Sequence, residues 1–265
     1  MPRYEHLDIT REVDPLPHLR IFLNRPEIHN AFNEQLIAEL TTCFNDADKA
    51  NDIRAIVLGG HGRSFCAGAD LAWMKKSADF TYDENLEDAK ALANLFATID
   101  ESRKPVIGRI NGAAIGGGSG LVAACDITVA VERAKFAFSE INLGIVPAVI
   151  SPYVLAKIGV ANARELFLTG ERFSATRAFQ IGLVQYVVPE KELDAKISDL
   201  LTSLRSSGPQ AIPACKELIR TVAPMPKDQV KNYTIQLIAK LRTSEEGKEG
   251  IKSFLEKRKP EWLND

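Results

Sequence analysis

The sequence has no pair of closely spaced cysteines. Its four, Cys43, Cys66, Cys125 and Cys215, are scattered along 265 residues with no C-x-x-C among them. That leaves neither a zinc site nor a disulfide framework to read, and a reducing, cytoplasmic setting is expected. Histidine is as sparse: His6, His18, His29 and His61 form no H-x-x-x-H or similar set, so no metal site is expected. Charge of one sign is missing too. Lys and Arg total 33 against 35 Asp and Glu, a formal net charge of -2, so no global field draws nucleic acid or an anionic membrane. No run approaches the ~20 apolar residues of a membrane span. The opening stretch MPRYEHLDITREVD lacks the apolar centre of a secretory signal, and no tandem repeat or low-complexity segment is visible. What remains is 45% hydrophobic and 26% charged residues, ordinary material for a soluble globular chain. The length suits one large domain, or a core with a smaller appendage.

Periodicity organises the first 140 residues. HLDITRE and LRIFLN read as two strands joined by VDPLPH, a hairpin. Asn33 is placed to cap a helix running to about Asp48, with Leu36, Ile37, Leu40 and Phe44 on one face. AIVLGG (55–60) is a compact apolar strand, followed by the polar loop HGRSFCAGAD. Residues 84–99 have helical period, PVIGRI (105–110) is a strand, and ITVAVE and AKFAF are strand-like. Strands separated by helical stretches predict repeated β–β–α units with largely parallel pairing. From Ser151 onward the pattern is mostly helical. SPYVLAKIG, ANARELFLTG, SATRAFQIG and KELDAKISDLLTSLRSSG each end at glycine, as helices often do, and Gly208-Pro209 reads as a hinge into a last helical region.

Residues 113–126, AAIGGGSGLVAACD, carry glycine at 116, 117, 118 and 120 just before a helical run ended by Asp126. No Lys follows, so this is not a P-loop. Gly118, Gly120 and Ala123 fit G-x-G-x-x-A with Glu140 twenty residues beyond Gly120, but the helix has room for only about two turns before strand character returns. Close packing of a helix on a sheet is a second reading. A third is an anion site, in which small residues at a helix N-terminus let free N–H groups approach a ligand oxygen. FCAGADLAWM (65–74) supplies a second small-residue turn, Ala67-Gly68-Ala69-Asp70; alone, it is a loop capped by Asp70. Together the two turns could each present an N–H to one oxygen, which makes an oxyanion hole.

These pieces, in order, resemble the enoyl-CoA hydratase/isomerase (crotonase) family: LNRPEIHNAFN (23–33), FCAGADLAWM (65–74), PVIGRINGAAIGGGSGLVAACD (105–126), FAFSEINLGIVP (136–147), LTGERFSATRAFQIGLVQYVV (168–188) and FLEKRKPEW (254–262). Within it, DLAWM, ENLEDAKALA, VPAVISPY and EGKEGIKSFLEKRKPEW are most similar to bacterial methylglutaconyl-CoA hydratases, which act in leucine breakdown. The resemblance implies an α/β fold, a ββα spiral core over 1–205 with a helical region at 206–265 that mediates trimers, often paired into hexamers. It implies an acyl-CoA substrate and no separate cofactor. The oxyanion amides fall at Ala69 and Gly117, beside Gly116, and the catalytic acid at Glu140. Coenzyme A contacts fall at Ala67, Gly68, Asp70, Leu71 and Ala72, with His29 and Asn30. Phe254 and Lys257 match positions that reach the nucleotide from a neighbouring subunit; read on its own, Lys257 in KRK is a solvated basic helix end.

The chain departs from the family in one place. Where two-glutamate hydratases read GGGCEL, this sequence reads GGGSGL, so their first glutamate is Gly120. One carboxylate is the pattern of enoyl-CoA isomerases, so hydratase and isomerase both stand, and in a hydratase the substrate's own distal carboxylate could assist. Lys75, Lys76, Arg103 and Arg109 are candidate partners for such a carboxylate, though ordinary surface charge explains each as well. VPAVISPYV (146–154) is expected at the acyl end, with Ser151 and Tyr153 either touching substrate or simply starting a helix. Some methylglutaconyl-CoA hydratases bind RNA through a lysine-rich helix. The matching stretch here, NEQLIAELTTCFNDADKAND, holds one Lys, which argues against nucleic acid.

Overall fold

The computed structural model describes residues 4–263. Two strands, β1 (Leu7–Glu12) and β2 (His18–Leu23), form the expected antiparallel hairpin. β1 buries Leu7 and leaves Asp8, Thr10 and Arg11 exposed, as a wet edge strand does. Beyond it the sheet is parallel: β2 pairs with β3 (Ala55–Gly60), then β4 (Val106–Ile110), β6 (Ile127–Val131) and β9 (Tyr186–Val188). Every residue of β3 is buried, which is why AIVLGG has no polar position.

A second, smaller layer turns the path into a spiral. β5 (Ala114–Ile115), β7 (Lys135–Ala137) and β8 (Phe173–Ser174) make a three-stranded sheet, and single bridges extend it from Ala114 to Cys66 and from Ala69 to Phe32. The turns from β3 through β7 lay a strand or bridge in each sheet and then a helical segment. α1 (Glu34–Lys49) turns Leu36, Ile37, Leu40, Cys43, Phe44 and Ala47 inward, and Asn33 caps it by accepting the Leu36 N–H at 2.9 Å. α2 (Leu71–Ser77) follows the Gly68–Ala69 turn. α3 (Tyr82–Asp100) begins with a Thr81–Glu84 capping box. α4 (Gly117–Ala124) is buried nearly all round; a helix enclosed on every side needs no polar face.

The predicted pair of helices at 151–169 is joined without a loop. α5 (Ser151–Thr169) carries one non-helical residue, Gly159 at φ 70°, and kinks there. α6 (Ala175–Gln180) and α7 (Leu193–Arg205) complete the core. The mostly helical reading beyond Ser151 needs correction at β8 and β9, strands of two and three residues. Runs that short carry no periodicity of their own; neighbours recruit them.

The C-terminal region is α8 (Ala211–Val222), α9 (Lys227–Thr243) and α10 (Glu245–Leu255), with Ser253 its one buried helical residue. The Gly208-Pro209 junction is fastened rather than free. Glu246 on α10 accepts the N–H groups of Gln210 and Ala211, both at 2.8 Å, so it caps α8. The Trp262 indole N–H donates to the Ser206 carbonyl at 3.2 Å. Ile219, Ile235, Ile238, Ile251, Phe254 and Leu255 stay exposed on these helices.

Candidate active site

The two glycine-bearing turns meet. Residues 66–69 run as a strand fragment between two neighbours. On one side Phe32 donates its N–H to the Gly68 carbonyl (2.7 Å) and accepts from the Asp70 N–H (2.8 Å). That pair straddles Ala69, so the Ala69 N–H faces away from Phe32. On the other side Ile115 donates to the Cys66 carbonyl at 3.0 Å. Gly68 sits at φ +90°, and a Cβ there would stand 2.8 Å from the Ile115 carbonyl oxygen and 4.0 Å from the Gly117 nitrogen. Only glycine lets the turns approach this closely.

α4 starts at Gly117 with no side-chain cap, after Gly116 at φ 53°. Among the described residues, neither the Ala69 N–H nor the Gly117 N–H has an acceptor within the chain. Ala69 is exposed and Gly117 half-exposed, so both donors are open to a ligand, and Gly117 adds the positive end of a helix. Phe32 supports both turns: its backbone holds 68–70, and a Cβ at Gly117 would lie 3.1 Å from its ring. Sequence reasoning gave Phe32 no role; the only signal was its place inside the LNRPEIHNAFN motif.

Glu140 stands beside them, on a 3₁₀ turn (Ser139–Leu143) that follows β7. A Cβ at Gly116 would be 3.2 Å from its Oε1. Its Oε2 is buried with no hydrogen-bond partner among the described residues. Burial pushes the carboxyl above its ordinary value, and its own backbone N–H offsets only part of that. A carboxyl so placed holds a proton more readily than one on the surface, which suits an acid–base group.

The Gly120 position has no space for a second carboxylate. A Cβ there would meet Ile150 Cβ at 2.9 Å and Phe96 at 3.0 Å, with Ile150 Cγ2 closer still. The other candidates divide. Asn30 is fully buried: its Oδ1 accepts from the Arg25 N–H at 2.9 Å and its Nδ2 faces the carbonyls of His61, Ser64 and Phe65. Its polar atoms are thus used in holding the loop. Asp70 caps α2 through the Ala72 N–H at 2.8 Å and pairs with Arg25 at 2.9 Å. His29, Leu71 and Ala72 are exposed and Ala67 half-buried. His29 Nδ1 lies 3.1 Å from the Ser64 hydroxyl. Phe254 and Lys257 are exposed at the end of α10, Lys257 in the left-handed region at φ 54°.

Arg109 is held by Asp194 at 2.6 and 2.8 Å and Lys76 by Glu34 at 2.5 Å. Ser151 is the first residue of α5 but caps no N–H; its hydroxyl donates back to the Ala148 carbonyl at 2.7 Å. Tyr153 packs on Phe96 and lines a hollow of about 810 Å³ between α4, α5 and α8. That hollow, and one of about 780 Å³ between α1 and α3, include none of Ala69, Gly117 and Glu140.

A two-layer spiral that brings two open backbone amides close to a buried carboxyl is an arrangement able to hold a negatively charged oxygen beside an acid. Comparison with known proteins shows the family. The sequence profile described as Enoyl-CoA hydratase/isomerase matches residues 19–265. An enoyl-CoA hydratase of Shewanella pealeana superposes with a TM-score of 0.94 at 36% identity, covering 98% of this chain and 97% of that one. An enoyl-CoA hydratase/isomerase of Marinobacter aquaeolei gives 0.91 at 33% identity, covering 97% and 99%. An enoyl-CoA hydratase of Alternaria alternata is 38% identical over 203 residues, 76% of this chain and 66% of that protein. The chain belongs to the enoyl-CoA hydratase/isomerase family.

Proposed function

We propose that the enzyme adds water across the 2,3 double bond of an enoyl-CoA thioester, with the thioester oxygen held by the N–H groups of Ala69 and Gly117. The observation that carries this is the conjunction of those two N–H groups with the Oε2 of Glu140, all without partners among the described residues. Ionised Glu140 takes a proton from water as the water oxygen bonds to Cβ. The double-bond electrons move onto the thioester oxygen, and the enolate is stabilised by the two amides. Glu140 then returns the proton to Cα, so OH and H have been added and the carboxylate is restored.

A second reading is favoured by one specific observation, the filling of the Gly120 site by Ile150 and Phe96. With a single carboxylate, Glu140 can remove a proton from Cγ and deliver it to Cα through the same enolate, shifting the double bond. The two readings share the amides and the acid and differ in whether water enters.

The motifs quoted above support a branched or carboxylated acyl group of the methylglutaconyl kind. The exposed apolar residues of α8–α10 support an oligomer, a trimer or hexamer, in which 206–265 covers a neighbouring site and Phe254 and Lys257 reach its coenzyme A. Four free cysteines fit a cytoplasmic setting. A panel of 2-enoyl- and 3-enoyl-CoA thioesters, straight, branched and carboxylated, tests the reading. Loss of the conjugated thioester absorbance reports hydration; its gain from 3-enoyl substrates reports isomerisation. If neither occurs with any substrate, the reading fails.

A further inference from the structure

We propose that Ser119 is a positioning residue that sets the spacing between the Gly117 amide and the Glu140 carboxyl. The inference rests on the function proposed above. Ser119 lies in the first turn of α4 and is fully buried. Its hydroxyl is 2.7 Å from the Ala114 carbonyl and 3.1 Å from the Ala137 carbonyl. Those two carbonyls belong to different halves of the site. Ala114 starts β5, which leads through Gly116 into Gly117; Ala137 ends β7, which leads through Phe138 into Glu140.

β5 and β7 pair in parallel for only two positions, Ala114 with Phe136 and Ile115 with Ala137. Past them the chains diverge, one to the amide and one to the acid. At that fork the Ala137 carbonyl accepts the Gly116 N–H at 2.9 Å and also faces the Ser119 hydroxyl. The side chain acts as one more rung where the backbone ladder has ended. A buried hydroxyl would be costly without such partners, and an alanine would fill an apolar helix as well. The use of serine here is explained by tying the two strand ends together.

A thioester must meet Gly117 and Glu140 at once, so a small change in their spacing costs turnover more than binding. The test compares wild type with Ser119→Ala, which removes the tie, and Ser119→Cys, which keeps a weak donor on a larger atom. Crotonyl-CoA and 3-hexenoyl-CoA serve as substrates and cinnamoyl-CoA as an absorbance probe of the polarised carbonyl. Expected for Ser119→Ala is a 10- to 100-fold lower kcat with KM within about two-fold, and a changed absorbance shift of bound cinnamoyl-CoA; Ser119→Cys should fall between. Equal kcat in a folded Ser119→Ala, or a fall in kcat accompanied by a rise in KM and a loss of thermal stability, overturns the positioning role. A wild type that turns over neither substrate and does not shift cinnamoyl-CoA overturns the functional reading itself, and the inference with it. If Ser119→Ala does not fold, the Ser119→Cys result decides: wild-type kcat and absorbance shift overturn the role, and a lowered kcat with unchanged KM upholds it.

Discussion

Glu140→Gln should lower activity and raise stability in the same protein. The carboxyl has one buried oxygen without a partner and is pushed above its ordinary value by burial. An unpartnered buried polar group costs about 1–3 kcal/mol, more if charged. Gln keeps the shape and removes the charge but leaves amide hydrogens unmet, so a gain of about 1 kcal/mol at neutral pH is expected. For a chain of this size that is ~2–4 °C in Tm. The pH dependence follows from linkage. Below the unfolded value, taken as 4.5, both states of wild type carry the proton and the variant gains little from lost charge. As pH rises through that value, the unfolded chain ionises first while the folded one resists. Wild-type stability therefore falls until the raised folded value is passed, at about 1.36 kcal/mol for each unit separating the two. The variant has no such slope. Thermal scans of both proteins from pH 4 to 8 should give a Tm difference that grows with pH and then levels. Turnover should drop about 10²–10⁴-fold if Glu140 moves the proton. A pH-independent Tm difference would refute the burial argument, and full activity in the variant would remove Glu140 from the chemistry.

Three further outcomes follow from contacts at the site. Gly120→Glu drives a side chain into Ile150 and Phe96 and should cost at least ~1–3 kcal/mol from overpacking; adding Ile150→Ala should restore part of the Tm, measured by calorimetry, and no recovery would show that the clash lies elsewhere. Gly68→Ala meets both a φ of +90° and the Ile115 carbonyl, so displacement of the Ala69 amide should reduce kcat by about 10²-fold or more; unchanged kcat in a folded variant would remove that amide from the mechanism. Asn30→Ala leaves the Arg25 N–H without its acceptor and three carbonyls without their shared donor, and should destabilise by about 1–3 kcal/mol, seen in urea midpoints with KM for crotonyl-CoA little changed in the folded fraction.

What could be read ahead of the structure depended on how local its cause was. α1 and α3 announce themselves through caps and apolar stripes, and β3 through a wholly apolar run, because their own residues decide their form. β8 and β9 do not, since a two- or three-residue strand exists only when a neighbour offers an edge. The same divide runs through the site. The glycines at 68, 116 and 117 left a mark because close approach forbids a side chain, and that restriction is written in composition. Asn30 shows the opposite case: an amide in a motif looks the same whether its side chain faces a ligand or, as here, four backbone groups, one in its own segment and three in the 61–65 loop. Phe32 and Ser119 were silent because an aromatic and a hydroxyl are common in cores, and only three-dimensional neighbours turn them into supports. The missing carboxylate at Gly120 was legible as an absence, whereas its consequence was not. The sequence cannot say whether such a gap holds water or protein, and here Ile150 and Phe96 fill it. That filling leaves a single carboxyl, Glu140, beside the two amides, and under the proposed function it makes the choice between adding water and moving a proton depend on how water reaches that carboxyl.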